Sequence, residues 1–171
     1  VVHDPDDRRP SQRRDLDHVA GGQRPTLDFY DRVVFLMDFN RDAGFDPAVI
    51  ARDCAFRVVD SAIVFILHRA TKDLLALADE LQIALDVAPL RAALARTATA
   101  VPRLWSDVLG LYANLDLVSG ALIEQPVHGG FLSWYAGIDS RTQEQTLAAW
   151  LDEAPFGVPS TMVVEGMPLS S

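Results

Sequence analysis

Residues 56–82 read FRVVDSAIVFILHRATKDLLALADELQ, and this stretch decides the fold. From Asp60 to Gln82 apolar side chains recur every three or four positions, which predicts one long amphipathic helix. The residues of its apolar face are Ile63, Ile66, Leu67, Ala70, Leu74, Leu77, Ala78 and Leu81. Val64 and Phe65 widen that face in the first half, so we expect this helix to be buried on most sides.

Two further helices are predicted before this segment. Thr26 is placed to cap a helix that Gly44 ends, because a hydroxyl suits an N-cap and glycine suits the residue after a helix. Asp46 and Pro47 then form a second start, and this short helix runs to about Ala55. The apolar positions of the first helix are Phe29, Val33, Leu36 and Met37.

After the long helix, Asp86 is predicted to cap another helix that Pro102 kinks or ends. Residues 109–115 and 118–124 have the pattern of two short strands, with Gly120 in the turn between them. The sequence therefore predicts one β-hairpin near residues 109–124.

The last elements are a helical turn over residues 131–135 and a helix that Ser140 caps and that runs through Leu151. Residues 1–25 are polar and rich in proline and glycine, and residues 155–171 are also predicted to be loop. The fold class is thus all-α: five or six helices in one domain, joined by short loops, with one hairpin. Alternation of nearly buried and one-sided helices is typical of a slice of a two-layer helical toroid, and equally of a plain bundle.

Composition excludes several classes of protein. The chain has 171 residues, a net charge of −9, 49% hydrophobic and 23% charged residues, which is typical of a globular protein. The acidic balance argues against a nucleic-acid surface, because phosphate contacts need clustered basic residues. The longest apolar run, residues 62–67, is far shorter than a membrane span. We therefore expect a cytoplasmic chain without nucleic-acid or membrane partners.

No metal or cofactor is expected from the spacing of the ligating residues. The four histidines form no His-x-x-x-His pair, and none lies near Cys54 in sequence. Cys54 is interpreted as a buried thiol, since a nucleophilic cysteine needs a histidine partner. The glycine pairs at 21–22 and 129–130 lack the strand-to-helix context of a phosphate loop.

Three residues are candidates for chemistry. Asp60 opens the long helix, where a carboxylate is more simply explained as an N-cap than as a secondary catalytic group. Arg24 and Tyr30 could together bind a carboxylate, because guanidinium and phenol groups both donate to an anion. Their spacing alone fits a surface arginine and a half-buried aromatic residue as well.

An ordered set of short motifs resembles one enzyme family. In chain order these motifs are Gln23-Arg24-Pro25-Thr26, Tyr30-Asp31-Arg32, Phe56-x-Val58-x-Asp60, Leu104-Trp105, Gly110-x-Tyr112, Gly130-Phe131-Leu132, Tyr135-Ala136-Gly137-Ile138 and Phe156-Gly157-Val158-Pro159-Ser160. The set resembles the mannosylglycerate and glucosylglycerate hydrolases, which are (α/α)6-barrel glycoside hydrolases related to processing α-glucosidase I.

The resemblance implies inverting hydrolysis of an α-linked glycoside by two carboxylates, an acid and a base. The acid lies before the part of the family matched by Val1, and the base lies after the part matched by Pro168. We therefore expect a central piece of a longer protein, holding neither catalytic residue. Its sequence also begins without methionine.

The resemblance assigns Arg24 and Tyr30 to the substrate carboxylate, which favours the functional interpretation of that pair. Two positions depart from the family: Val33 stands where tyrosine is frequent, and Val64 where asparagine is frequent. The substrate is then a small carbohydrate, and the remainder of the parent chain is a structural partner. Two alternatives are hydrolysis of neutral α-glucans or trehalose-like sugars, and a noncatalytic helical interaction module complete at 171 residues.

Overall fold

The computed structural model describes residues 25–84, 86–138 and 143–153. This part of the chain is mostly helical, with two small antiparallel sheets. It falls into two compact units that divide after Arg57, so the described residues comprise a unit of residues 25–57 and a second that begins at Val58. Within the described residues, no helix is both long and apolar enough to cross a membrane.

The first unit contains two helices with the predicted starts. Helix α1 spans Leu27–Asp42, and the Thr26 hydroxyl accepts a hydrogen bond from the backbone N–H of Phe29. Helix α2 spans Pro47–Asp53, and the Asp46 carboxylate accepts the N–H groups of its first turn. Between them Gly44 has a φ of 62°, a left-handed conformation that ends α1 as predicted.

The end of α2 is held by an arginine. The Arg57 Nη1 donates to the backbone carbonyls of Ala51 and Arg52, at the carboxyl end of the helix. A cation is favoured there because the last carbonyls carry the negative end of the helix dipole. The helix ends at Asp53, two residues before the predicted limit, and Cys54 beyond it is buried.

The second unit contains the long helix that the opening stretch predicts. Helix α3 spans Ser61–Glu80 and follows the short strand β1, Val58–Val59. Helix α4 spans Ala88–Ala100 and continues into a 3₁₀ turn, Val101–Leu104. Its N-cap is Val87 rather than Asp86, although the Asp86 carboxylate accepts the N–H of Ala88 at 3.1 Å. The predicted cap is therefore one residue too early, and the carboxylate still bonds the first turn.

The strands show that the all-α class is too narrow. Strands β2 (Trp105–Ser106) and β3 (Leu111–Tyr112) pair antiparallel, and β4 (Asn114–Asp116) lies between β1 and β5 (Leu122–Ile123). The predicted turn between β4 and β5 is present, but the predicted strand over residues 109–115 is interrupted. Its residues divide between two sheets. Strand β3 pairs with β2, and the N–H of Ala113 next to it donates to the carbonyl of Leu104, whereas β4 pairs with β1 and β5.

The β4–β5 turn is closed by one aspartate. Asp116 accepts the N–H of Val118 at 2.8 Å and the hydroxyl of Ser119 at 2.6 Å. Gly120 has a φ of 76° and donates its N–H to the carbonyl of Asp116. An aspartate followed by a left-handed glycine is a frequent turn chemistry, which explains why sequence alone located this turn.

The final described elements are a 3₁₀ turn (His128–Phe131), a short helix α5 (Leu132–Tyr135) and helix α6 (Gln143–Glu153). Two cations of α3 hold the end of α5: Arg69 donates to the carbonyl of Tyr135 and Lys72 to that of Ala136, each at 3.3 Å. The predicted cap Ser140 and the predicted tail 155–171 lie outside the described residues.

The core of the second unit is aromatic at its centre. The Tyr112 ring packs edge-to-face on Phe65 at 5.2 Å and on Trp105 at 5.1 Å between centroids. The buried members of this cluster are Phe65, Val101, Leu104, Tyr112, Leu115 and Ala136. The core thus joins α3, the turn after α4, both sheets and the end of α5.

The predicted burial of α3 on most sides is wrong in this structure. Its buried residues are Ser61, Phe65 and Ala78, which face the core. Of the predicted apolar face only Ala78 is buried, and the exposed members are Ile63, Ile66, Leu67, Ala70, Leu74, Leu77 and Leu81. Helix α3 contacts α4 and α5, and Phe65 is its member of the buried core cluster.

Candidate substrate-binding site

Tyr30 lies one turn into α1, on the helix that Thr26 caps. Its backbone N–H donates to the carbonyl of Thr26 at 3.3 Å, and its ring meets the edge of Phe29 with centroids 6.0 Å apart. The side chain is half-buried. Tyr30 is the fourth residue of α1, and side chains on an α-helix in general tilt towards its amino end.

Arg24, the predicted partner of Tyr30, lies outside the described residues. The adjoining residues of α1 carry their own ion pair: the Arg32 Nε lies 2.8 Å from Asp28 Oδ2, and both side chains are exposed. This pair has an i, i+4 spacing and neutralises the acidic residue in the first turn of the helix.

Asp60 is the N-cap of α3. Its Oδ1 accepts the backbone N–H of Ala62 at 2.8 Å and of Ile63 at 3.2 Å. This geometry is that of a carboxylate satisfying the first amides of a helix, and the residue is exposed rather than enclosed in a cleft. Asp60 and Tyr30 belong to different units. The structure therefore accounts for Asp60 by its capping bonds.

A second polar group at the start of α3 was not found from the sequence. The Asn114 side-chain oxygen accepts both the N–H of Ser61, at 2.9 Å, and its hydroxyl, at 3.0 Å. Asn114 lies on β4, which pairs with β1 immediately before Asp60. The β4 strand thereby fixes the amino end of α3, and only the long-range strand pairing brings these residues together.

One open groove of ≈ 210 Å³ lies in the second unit, and its lining is mainly apolar. The lining residues are Val59, Val64, Thr97, Ala100, Val101, Arg103, Leu104, Leu115 and Leu117. A sugar site needs several polar partners for hydroxyl groups, and this lining offers only Thr97 and Arg103. The groove is therefore a poor candidate for the sugar site.

The pKa of one titratable group in α3, His68, is lowered by its surroundings. Burial, and then the charge of Lys72, lower the pKa of His68 below its ordinary value of 6.5. Its Nδ1 is buried without a hydrogen-bond partner among the described residues. In the same part of the chain, no three His, Cys, Asp or Glu side chains are arranged to hold a metal ion.

Comparison with known proteins places the chain among the glycoside hydrolases. Residues 3–164 match the family described as the mannosylglycerate hydrolase MGH1-like glycoside hydrolase domain. The chain belongs to this family. The ordered motifs of the sequence therefore identified the family correctly.

Curated relatives of this family cover nearly the whole chain. The chain is 35% identical over 159 residues to mannosylglycerate hydrolase MGH1 of Selaginella moellendorffii, covering 91% of this chain and 33% of that protein. It is 35% identical over 155 residues to the mannosylglycerate hydrolase of Thermus thermophilus, covering 88% of this chain and 37% of that protein. The chain thus spans about a third of the length of these relatives.

A solved structure agrees in fold as well as in sequence. A GH63 mannosylglycerate hydrolase of Thermus thermophilus, in complex with Tris and D-glycerate, matches with a TM-score of 0.81 at 33% identity. The match covers 92% of this chain and 39% of that one. The fold therefore resembles one part of that GH63 structure.

Proposed function

We propose that this chain is part of a glycoside hydrolase that cleaves an α-linked glycoside of glycerate, such as glucosylglycerate or mannosylglycerate. The observation that carries the proposal is its membership of the mannosylglycerate hydrolase MGH1-like family over residues 3–164. The related GH63 structure in complex with D-glycerate adds support, because a relative at 33% identity binds the non-sugar half of such a substrate.

Arg24 and Tyr30 are the proposed carboxylate-binding residues. The guanidinium group offers a planar pair of donors that matches a carboxylate, and the phenol adds a third donor. The position of Tyr30 one turn into α1 supports this role, because helix side chains tilt towards the amino end and Arg24 precedes the cap Thr26 by two residues in sequence. The bond to a charged oxygen gives this pair a preference for glycerate over a neutral aglycone.

The hydrolysis itself is proposed to invert the anomeric centre. A carboxylic acid protonates the leaving oxygen while a carboxylate on the opposite face activates water, and the two groups lie about 6.5–9.5 Å apart in such enzymes. Both carboxylates are proposed to lie outside these 171 residues, elsewhere in the longer protein to which they belong, which we call the parent polypeptide. The present chain then contributes substrate recognition and part of the barrel wall.

The proposed architecture is a slice of an (α/α)6 barrel. Three observations support it: the mostly helical fold, the coverage of only 39% of the related structure, and the exposed apolar face of α3. We place the parent polypeptide in the cytoplasm, with a small carbohydrate substrate and neither nucleic acid nor membrane as partner.

A specific observation also favours a second candidate substrate. Val64 stands where a polar residue is frequent in the family, which makes this part of α3 less polar than in a glycerate-specific relative. An enzyme for neutral α-glucosides or trehalose-like sugars would have no carboxylate for Arg24 to bind. Such an enzyme would cleave substrates with and without glycerate at similar rates.

The test compares the parent polypeptide with three variants on glucosylglycerate and on the matching glucosylglycerol, which lacks the carboxylate. We expect Arg24→Ala to lower kcat/KM for the charged substrate by about 100-fold, from a lost charge-assisted contact of about 3 kcal/mol, and Tyr30→Phe by about 10-fold. Neither variant should change kcat/KM for the neutral substrate. Arg41→Ala is the matched control, because Arg41 pairs with Asp38 and Asp42 on the same helix and lies outside the family motifs.

Three results would contradict the proposal: no turnover of any glycerate glycoside, equal use of both substrates, or no effect of Arg24→Ala. Proton NMR of the sugar released in the first turnovers tests inversion separately. A β-anomer formed first from an α-glycoside supports inversion, and an α-anomer formed first refutes it.

A further inference from the structure

Three arginines of helix α4 and of the turn that continues it have no acidic partner. Arg91, Arg96 and Arg103 are exposed, and none of them forms an ion pair with a described residue. The sequence from 87 to 106 contains no Asp or Glu, so the helix itself supplies no carboxylate. On the other helices, four arginines each pair with an aspartate within four positions: Arg32, Arg41, Arg52 and Arg69.

These arginines border a strip of small side chains. The exposed residues of the strip are Ala92, Ala95 and Thr99. Helical spacing places Arg91 along one edge of the strip and Arg96 along the other. We call the strip and the three arginines the α4 basic face. Because arginine is almost never buried without a partner charge, this face is suited to water or to a polar partner and not to an apolar layer.

Helix α6 has the opposite charge. Glu144 and Asp152 are exposed, and neither forms an ion pair with a residue that the structure describes. They lie on one side of the helix, with the exposed Ala148 between them at i, i+4 spacing. The sequence from 143 to 153 contains no Lys or Arg. We call Glu144, Ala148 and Asp152 the α6 acidic face.

The two faces complement each other, and a second copy of the protein provides both. They belong to the same compact unit, yet no ion pair among the described residues joins them within one copy. Ala148 opposite the strip of α4 would let two helices approach closely, with the charges at the edges of the contact. A twofold axis repeats such a contact, because α6 of the first copy then meets α4 of the second. A small anion on α4 would leave the α6 acidic face without a partner.

We propose that the α4 basic face binds the α6 acidic face of a second copy of the parent polypeptide, and that a twofold axis repeats this contact. The inference is independent of the proposed function, since it uses only the charges and exposure of α4 and α6. Each face measures about 20 Å by 10 Å, so the two contacts bury about 800 Å² in total. An interface of this size is weak, and the net charge of −9 on these residues in each copy adds repulsion. We therefore expect a weak dimer that salt dissociates.

The main test is sedimentation equilibrium of the parent polypeptide and of two charge-reversal variants. The basic-face variant combines Arg91→Glu, Arg96→Glu and Arg103→Glu, and the acidic-face variant combines Glu144→Lys and Asp152→Lys. Each variant alone should have a dimer Kd at least about 30-fold higher than the wild type, because attraction becomes repulsion in both contacts. An equimolar mixture of the two variants should dimerise again, because the reversed faces complement each other in both contacts.

The acidic-face variant separates this contact from a general effect of net charge. It makes the protein less negative, so general repulsion between copies falls, yet the proposal predicts loss of the dimer. Arg52→Glu is the matched control, because Arg52 is exposed and pairs with Asp53 on α2, and it should change Kd by less than about 2-fold. Raising NaCl from about 0.1 M to about 1 M shortens the screening length from about 10 Å to about 3 Å, and should raise the Kd of the wild type at least about 10-fold.

Four results would refute the proposal: a wild-type parent that stays monomeric at about 1 mM protein and 0.1 M NaCl, a dimer that neither variant weakens, a mixture that stays monomeric, or a Kd that salt does not change. A species larger than a dimer would refute the twofold arrangement. A Tm within about 2 °C of the wild type shows that a variant is folded. For a variant whose Tm falls further, the mixture is repeated with the single substitutions Arg96→Glu and Asp152→Lys, and the same recovery is expected.

Discussion

A buried hydrogen-bonded triad between α5 and α6 gives the sharpest stability prediction. The Gln143 Oε1 accepts the Ser133 hydroxyl at 2.7 Å, and the Gln143 Nε2 donates to the carbonyl of Gly130 at 2.7 Å. Both Gln143 and Ser133 are 0% exposed. The triad joins the start of α6 to the turn before α5, so its loss should weaken the whole end of the second unit.

The perturbation is Gln143→Met, which keeps the length of the side chain and removes both of its polar groups. It leaves two buried groups without a partner, the Ser133 hydroxyl and the Gly130 carbonyl, each at a cost of about 1–3 kcal/mol. We therefore expect the free energy of unfolding to fall by about 2–4 kcal/mol, since the methionine recovers some apolar burial. At about 2–4 °C per kcal/mol, the Tm should fall by about 4–16 °C.

The assay is urea unfolding of the 171-residue chain, followed by tryptophan fluorescence. Phe131 couples the signal to this region, because its ring stacks on Trp134 and meets the edge of Trp150. Ser133→Ala should lower the free energy of unfolding by about 1–2 kcal/mol, less than Gln143→Met, since Gln143 keeps one of its two hydrogen bonds. Gln145→Met, at an exposed position on the same helix, is the control and should be neutral. If Gln143→Met also unfolds at the wild-type urea concentration, the triad does not stabilise this unit.

Substitutions at three other positions test separate parts of the structure. Gly130→Ala should lower the free energy of unfolding, measured in urea, by about 1–3 kcal/mol, because a Cβ at this position would lie 2.6 Å from Leu111 Cγ. Asp60→Ala should lower the free energy of unfolding by about 1 kcal/mol, and Asp60→Asn by much less, since aspartate and asparagine both cap helices well. If Asp60→Asn leaves the Tm unchanged but abolishes turnover by the parent polypeptide, Asp60 is instead a catalytic carboxylate. The lowered pKa of His68 means that the unfolded chain binds its proton more readily, so stability is lost as pH falls below about 6.5. His68→Gln should reduce the loss between about pH 7 and pH 5 in Tm measurements, and an unchanged pH profile would contradict this.

Local signals explain why the helix starts were predictable. Thr26, Asp46 and Asp60 each accept backbone N–H groups two or three residues further on. Such bonds depend only on neighbouring residues, and the sequence contains all of them. The turn at Asp116 was located for the same reason.

Long-range pairing explains most of what was missed. Strand β1 has two residues, and its partner Asp116 lies far along the chain from Val58. A two-residue strand has no periodicity to detect, and its pairing depends on the assembled core. The hydrogen bonds that Ser61 donates to Asn114 follow from that pairing, so they also have no sequence signal.

The spacing of Arg24 and Tyr30, the two substrate-binding candidates, could not by itself assign them a role. Spacing alone fitted both a functional pair and two unrelated surface residues, and the family resemblance decided between these interpretations. The structure places Tyr30 on the first turns of α1, and Arg24 lies outside the described residues. Their joint role stays a prediction that the kinetic comparison of charged and neutral substrates tests.

The contact between α3 and α5 has a practical consequence for labelling. Lys72, whose ammonium group bonds the carbonyl of Ala136, is the single lysine among the 171 residues. Apart from the terminal amine, an amine-directed fluorophore or acetyl group can therefore modify this sequence at one position. A label on Lys72 therefore reports whether the end of α5 stays attached to α3. No substitution is needed to introduce that label.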